Sequence, residues 1–258
     1  MPITIKNASE INRMRDAGHV VALVHRRIEE AVRPGVTTGD LDAVARDTLN
    51  ELGARSSFLG YPGPYPFPGN ICASVNDEIV HGIPGRRVLR EGDIISVDVG
   101  AIVDGYHGDS AWTYPVGRVS DDAARLLRDT EAALDVAIAA ALSGNRLGAV
   151  GYAVQRFGDE YGYGVVLGYG GHGIGRQMHE EPHVPNVGDP NKGVLLRPGI
   201  TLAIEPMLNL GAADTDVLAD QWTVVTADGS LSAHFEHTVA ITDGEAQVLT
   251  ERFASVVH

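Results

Sequence analysis

Asp98 and Asp109 lie on two short apolar segments separated by a strong turn signal. The first segment reads Ile94-Ile95-Ser96-Val97-Asp98-Val99-Gly100-Ala101-Ile102-Val103, the second Tyr106-His107-Gly108-Asp109-Ser110-Ala111-Trp112-Thr113-Tyr114. Asp104-Gly105 between them is the dipeptide of a two-residue hairpin turn. Pairing Val103 with Tyr106 sets Gly100 opposite Asp109 and Asp98 opposite Ala111. The two aspartates then share one face as diagonal neighbours, roughly 7–8 Å apart at the backbone. Carboxylates converging from that distance can hold two cations about 3.5–4 Å apart. An apolar ribbon with two carboxylates on one face needs such compensation, because an unpaired buried charge is costly.

Three later segments extend the donor set. Gly170-Gly171-His172-Gly173-Ile174-Gly175 presents one imidazole in what reads as a glycine-rich loop. Thr201-Leu202-Ala203-Ile204-Glu205-Pro206 ends an apolar strand on a carboxylate, and Pro206 stops pairing there. Ser232-Ala233-His234-Phe235-Glu236-His237-Thr238-Val239 sets Glu236 inside a C-terminal strand. A single charged residue in one strand is usually a solvated edge position. Four carboxylates and a histidine, each framed by apolar residues or glycine, are not five independent accidents. Packed together and dry, Asp98, Asp109, Glu205 and Glu236 could not all stay ionised without cations. Two divalent ions neutralise them, with His172 as fifth ligand. Oxygen-rich ligation with one imidazole and no thiolate suits Mn, Fe or Co, and admits Zn.

Two motif matches lead elsewhere and fail on local physics. His179-Glu180-Glu181-Pro182-His183 fits H-E-x-x-H, but that motif needs a helix to bring both imidazoles to one face, and Pro182 disrupts it. Gly168-Tyr169-Gly170-Gly171-His172-Gly173 fits G-x-G-x-x-G, but the chain soon meets Pro182, which leaves no long dinucleotide-binding helix. His19, His25, His107, His234, His237 and His258 receive no chemical role.

The elements that must position these residues read as one α+β domain, residues 1–258. Steps of three and four through Ile11, Met14, Ala17, Val21, Val24, Ile28 and Val32 predict a helix over 8–33, closed by Pro34-Gly35. Thr37 or Thr38 caps a second helix that Gly53 ends. Four prolines make 60–70 a loop. Ser120-Asp121-Asp122 opens a helix to about Leu142, with acids where the macrodipole favours them. A fourth helix covers about 147–162. Strands are expected at 164–168, 200–205, 222–226 and 233–241.

Of the 258 residues, 44% are apolar, enough for a sizeable core, and no apolar run nears the roughly 18 needed to span a bilayer. The formal net charge of −14 argues against a protein held to nucleic acid by its overall charge. The lone Cys72 excludes an internal disulfide and a thiolate zinc finger. With no secretory signal pattern, a cytoplasmic location is expected.

Asn76-Asp77-Glu78-Ile79-Val80-His81-Gly82-Ile83-Pro84, the Asp98–Asp109 pair, Gly171-His172-Gly173-Ile174-Gly175, His179-Glu180-Glu181-Pro182, Ile204-Glu205-Pro206 and Glu236-His237-Thr238 resemble the type I methionine aminopeptidases from about residue 8 to 250. The resemblance implies a pita-bread fold, a pseudo-two-fold antiparallel sheet covered by two pairs of helices. It implies removal of the initiator methionine from nascent chains whose second residue is small, by a hydroxide bridging two divalent metals. Asp98 resembles the bidentate ligand of one metal and His172 the imidazole ligand of the other. Asp109 and Glu236 resemble bridging carboxylates, and Glu205 a ligand that also handles the nucleophile's proton. His81 and His179 resemble the two histidines that contact the scissile peptide. By motif position, Tyr61, Phe67, Cys72, Met178 and Trp222 are candidates for the methionine pocket. The 60–70 loop is longer than the usual type I pattern, and neither a zinc-binding extension nor the type II insertion is seen. A monomer making transient contact with the ribosome through its catalytic domain is expected. The alternatives are an Xaa-Pro aminopeptidase or prolidase, for whose extra N-terminal domain there is no room, and a non-catalytic binding protein on the same fold.

Overall fold

Three of the four helices among the described residues start on a polar side-chain cap, and the fourth, after Leu147, has none. In the computed structural model, which describes residues 3–252, Asn7 accepts from the Glu10 N–H while the Glu10 carboxylate accepts from the Asn7 N–H, opening α1 (Ala8–Ala31). Thr37 and Asp40 repeat this box at α2 (Thr38–Glu51), and Gly53 follows it in the left-handed region at φ 66°. His258 lies outside the described residues. Five strands come next: β1 (Arg55–Ser56), β2 (Cys72–Val75), β3 (Glu78–Val80), β4 (Ile94–Val103) and β5 (Tyr106–Pro115). The Ser120 hydroxyl accepts from the Ala123 N–H to start α3 (Asp121–Ala140), and α4 (Gly148–Tyr161) ends on left-handed Gly162. The remaining strands are β6 (Gly164–Val165), β7 (Gly170–Gly173), β8 (Glu180–Pro185), β9 (Thr201–Ile204), β10 (Met207–Asn209), β11 (Thr215–Val217), β12 (Val224–Thr226), β13 (Ser232–His234), β14 (His237–Ala240) and β15 (Gln247–Val248).

Each helix pair covers its own sheet. Val21, Val24 and Ile28 of α1 and Leu41, Ala45 and Leu49 of α2 share a core with Ile95, Val97 and Val99 of β4. Leu126, Leu134 and Ala137 of α3 and Val150 and Val154 of α4 share another with Leu202 and Ile204 of β9 and Val239 of β14. The two halves of this pita-bread fold thus repeat one scheme, two helices against antiparallel strands. In the first half β4 pairs with β5, β2 and β1; in the second the order is β15-β14-β9-β7-β8. The β4–β5 register matches the hairpin expectation, with Val103 opposite Tyr106, Gly100 opposite Asp109 and Asp98 opposite Ala111.

The structure corrects the sequence reading at three places. The segment 233–241 is not one strand but two, broken at Phe235-Glu236. Its partner breaks at Glu205-Pro206, and the breaks face each other: Ile204 pairs with His237 and Met207 with His234. Pro206 has no N–H to continue the ladder. Glu236 turns its N–H away, to the Ala111 carbonyl of β5 at 2.9 Å. His172 sits in a strand, not a loop, opposite Ala203 and His183. Glycine is required beside it: a Cβ on Gly171 would lie 2.1 Å from the Ala203 carbonyl oxygen. Third, strand character in 164–168 stops at Val165, and in 222–226 it starts at Val224, after Asp220 has bound the N–H groups of Trp222 and Thr223 at 2.9 Å each.

Hydroxyl groups stitch the halves together. Thr238 Oγ1 accepts from the Asp109 N–H at 3.1 Å and donates to the Asp109 carbonyl at 2.8 Å. Ser110 Oγ donates to the Glu236 carbonyl and Thr113 Oγ1 to the His234 carbonyl. All three hydroxyls are buried. Thr238→Val keeps the volume but leaves a buried N–H and C=O of Asp109 unpaired. It should cost about 1–3 kcal/mol in urea unfolding, and a change within error would show that the halves do not rely on this stitch.

Candidate active site

The double strand break aims Glu205 and Glu236 into the groove between the halves. There they meet Asp98 and Asp109 from the β4–β5 hairpin and His172 from β7, around a cavity of about 250 Å³. His81, at the end of β3, and His179, just before β8, line the same cavity. His81 holds a left-handed backbone at φ 60°, an uncommon conformation for a non-glycine residue that is tolerated where surrounding structure enforces it. The following Gly82 packs against β2, where a Cβ would sit 2.4 Å from the Ala73 carbonyl oxygen.

The acidic groups are crowded. Asp109, His172 and Glu236 each offer a ligand atom, and these atoms lie within 4.8 Å of one another. His172 Nε2 is 3.6 Å from Asp109 Oδ2, while its Nδ1 is 2.9 Å from the Gly173 carbonyl. A carbonyl accepts only, so Nδ1 carries the proton and Nε2 faces the carboxylates as a lone pair in the neutral ring. Burial, then Asp109 and Glu205, push the Asp98 carboxyl far above its usual range. Burial, then Asp109, Glu205 and Asp98, do the same to Glu236. Glu205 goes the other way. Its burial cost is outweighed by His234 and then by His172 and His81, which hold its pKa below the usual value. Burial lowers His172, but the adjacent Asp109 overrides this and raises it. His81 and His179 are both lowered, chiefly by desolvation, although the outer edge of His179 stays exposed at the cleft mouth.

Divalent cations fit this arrangement. Asp98 Oδ1, Asp109 Oδ1 and Glu236 Oε1 are buried without a hydrogen-bond partner among the described residues, a state that buried acceptors rarely sustain. The same three side chains supply the hard oxygen donors a divalent ion takes, and His172 adds a neutral imidazole nitrogen.

An apolar wall adjoins the acids, with Cys72 directly across from Asp98 on the β2–β4 pair. Phe67 and Trp222 pack edge to face with centroids 5.2 Å apart, and Phe58, Cys72 and Met178 complete the wall. Tyr61 reaches across the mouth, with its hydroxyl 2.7 Å from His179 Nδ1. The proline-rich loop bends back on itself through the Gly60 N–H to the Phe67 carbonyl and the Phe67 N–H to the Tyr61 carbonyl. Its tip is tied down by Tyr65, whose hydroxyl donates to the Asp220 carbonyl at 3.0 Å. All the side chains singled out in the sequence for ligation, peptide contact and the apolar pocket therefore line one cleft.

The profile of metallopeptidase family M24 matches residues 12–243. The chain belongs to this family. Within it, the chain is 50% identical over 248 residues to methionine aminopeptidase 1 of Bacillus subtilis, covering 96% of this chain and 99% of that protein. It is 49% identical over 254 residues to methionine aminopeptidase 1 of Mycobacterium tuberculosis, covering 95% and 94%. The crystal structure of a Thermotoga maritima methionine aminopeptidase superposes with a TM-score of 0.94 at 43% identity, over 97% of this chain and all of that one. A Pyrococcus horikoshii prolidase shares the fold alone, with a TM-score of 0.79 at 20% identity. As an M24 metallopeptidase the chain is a metal-dependent hydrolase.

Sequence reasoning missed two neighbours of the M24 site. His234 places Nε2 3.3 Å from Glu205 Oε2, and Tyr169 packs edge to face on His81 at 6.2 Å. Neither could be found from spacing, because the residues that face them are distant in the chain. His25, also left without a role, is a buried core histidine. Its Nε2 is 2.8 Å from the Ser110 carbonyl and its Nδ1 2.8 Å from the Tyr114 hydroxyl.

If repulsion among the acids dominates the metal-free cleft, Asp98→Asn should raise the melting temperature of metal-free protein. It should also abolish the stabilisation that wild type gains from Mn or Co, about 3 kcal/mol at a hundred times Kd. Equal cation-induced shifts in both proteins would contradict this account of the cleft.

Proposed function

We propose that this chain is a methionine aminopeptidase that removes the initiator methionine from nascent proteins whose second residue is small. The observation that carries the reading is the meeting of five metal-type donors, two further imidazoles and a sulfur-containing apolar wall in one cavity. Residues 1–258 would form a single catalytic domain. Asp98, Asp109, His172, Glu205 and Glu236 would hold two divalent ions from among Mn, Fe, Co and Zn. When bound, such ions polarise a carbonyl and lower the pKa of water, so that a nucleophile exists at neutral pH.

The protein's own groups then divide the work. Phe67, Cys72, Met178 and Trp222, with Tyr61 at the mouth, enclose an unbranched thioether side chain by dispersion and desolvation. The cavity of about 250 Å³ is of a size for one side chain rather than a folded segment. His179, neutral because desolvation holds its pKa down, donates an N–H to the scissile carbonyl oxygen as negative charge develops there. Glu205, whose carboxylate form is favoured by three nearby imidazoles, accepts the proton released by the attacking water. His81 contacts the amide nitrogen that departs as the new N-terminal amine. The roles assigned here call for no group from a second copy, and the enzyme would act as a monomer. Substrates of this kind are met where polypeptides emerge, so the enzyme would work in the cytoplasm and touch the ribosome transiently.

Met-Ala-Ser and an Xaa-Pro peptide, assayed with metal-free protein and after adding Mn, Co, Fe or Zn, test the assignment. Cation-dependent release of Met from the first and none from the second is expected; the reverse pattern would replace it with a proline-directed peptidase. His179→Ala should lower kcat by about 10²–10³ with cation uptake intact, as for a lost oxyanion donor. Unchanged turnover would remove His179 from that role.

A further inference from the structure

His234 is buried to 1% exposure at the end of β13, next to the double strand break. Its main chain is fully engaged: the N–H donates to Thr113 Oγ1 at 2.9 Å and the carbonyl accepts from the same hydroxyl at 2.8 Å. The backbone is therefore pinned to β5, and the ring has little freedom to translate. Nε2 is buried without a hydrogen-bond partner among the described residues. The acceptor it approaches is Glu205 Oε2, at 3.3 Å. Glu205 needs such a donor. It follows β9 at the point where pairing stops, Pro206 behind it offers no N–H, and its own carbonyl is taken by Asn186 Nδ2 at 3.0 Å. A carboxylate at the end of a strand, with rotatable bonds and like charges nearby, is not aimed by its backbone alone.

We propose that His234 is a positioning residue that donates its Nε2–H to Glu205 Oε2 and thereby fixes the carboxylate in the orientation the cleft requires. The inference rests on the reading of Glu205 as a metal ligand and proton acceptor. A buried imidazole next to a carboxylate can present either a proton or a lone pair. A lone pair at 3.3 Å would repel Glu205, whereas an N–H pins one oxygen and leaves the other free to face the cavity. Partners of this kind set ligand orientation, and their loss typically weakens metal affinity or activity roughly 10–100-fold. Pinning from β13 also links the two breaks. His234 pairs with Met207 across the ribbon, so the strand carrying Glu236 holds the side chain of the strand carrying Glu205.

Two measurements on the full-length protein test this. In the first, histidine-selective 15N NMR of metal-free wild type, with His234→Gln used only to assign the signal, reports which ring nitrogen carries the proton. Protonated Nε2 is expected; a bare Nε2 with protonated Nδ1 would overturn the proposal without any folding assumption. In the second, Mn uptake by calorimetry and steady-state kinetics on Met-Ala-Ser compare wild type, His234→Leu and His234→Gln. His234→Leu should weaken uptake of the ion that depends on Glu205 and lower kcat, each roughly 10–100-fold, with KM within about twofold. His234→Gln, which can still present an N–H, should recover most of both losses. Equal damage from Leu and Gln would mean that the ring only fills space, and no damage from Leu would mean that Glu205 is oriented by other groups. Wild-type protein that takes up none of Mn, Co, Fe or Zn would defeat the reading of Glu205 as a metal ligand instead, a result the NMR experiment does not depend on.

Discussion

Mutual repulsion among carboxylates crowded into one cleft is the constraint around which this molecule is organised. Asp98 and Glu236 are driven toward their neutral forms by burial and by their neighbours, and three acidic oxygens lack a hydrogen-bond partner among the described residues. A fold would ordinarily remove such groups. Here the surrounding chain holds them together. A glycine strand seats the imidazole of His172, and a proline stop and buried hydroxyls bring the acids closer than their charges favour. The imidazoles act unevenly as a counterweight, favouring the charged form of Glu205, while Asp98 gains only a hydrogen bond from the Val99 backbone, which its burial and acidic neighbours outweigh.

The acids reach the cleft by two routes. Asp98 and Asp109 come from a continuous hairpin, whose pleat alone puts them on one face. Glu205 and Glu236 come from a ribbon that breaks on both strands at once and continues in another sheet. The break frees the glutamates from the regular in-out alternation of a strand and turns both toward the hairpin. The backbone groups released by the break are not lost to water. The Glu236 N–H goes to Ala111, the Glu236 carbonyl takes Ser110 Oγ, and the Glu205 carbonyl takes Asn186. One local irregularity therefore aims two side chains and joins the two halves.

How much of this could be read beforehand depended on whether the deciding contact was local. The caps at Asn7, Thr37 and Ser120 and the turn at Asp104-Gly105 involve residues two to four apart, and helices and hairpin fell where composition and periodicity put them. The segment 233–241 read as one strand because no glycine or proline interrupts it. What ends the strand is a carbonyl more than a hundred residues upstream, that of Ala111. Gly170–Gly173 read as a loop for the complementary reason. Glycine is usually a poor strand residue, and only the approach of Ala203 explains its use.

Residue type and order determined the helices, the hairpin with its aspartate pair, and the inventory of acids and imidazoles, because each rests on short-range geometry or on charge that must be balanced somewhere. Only the tertiary structure decided that Glu205 and Glu236 face each other across a double break, that Thr238 stitches Asp109 to the second half, and that His234 stands behind Glu205. These are meetings of segments far apart in the chain. Burial and hydrogen-bond satisfaction select them for the molecule as a whole, and no local stretch encodes such a choice.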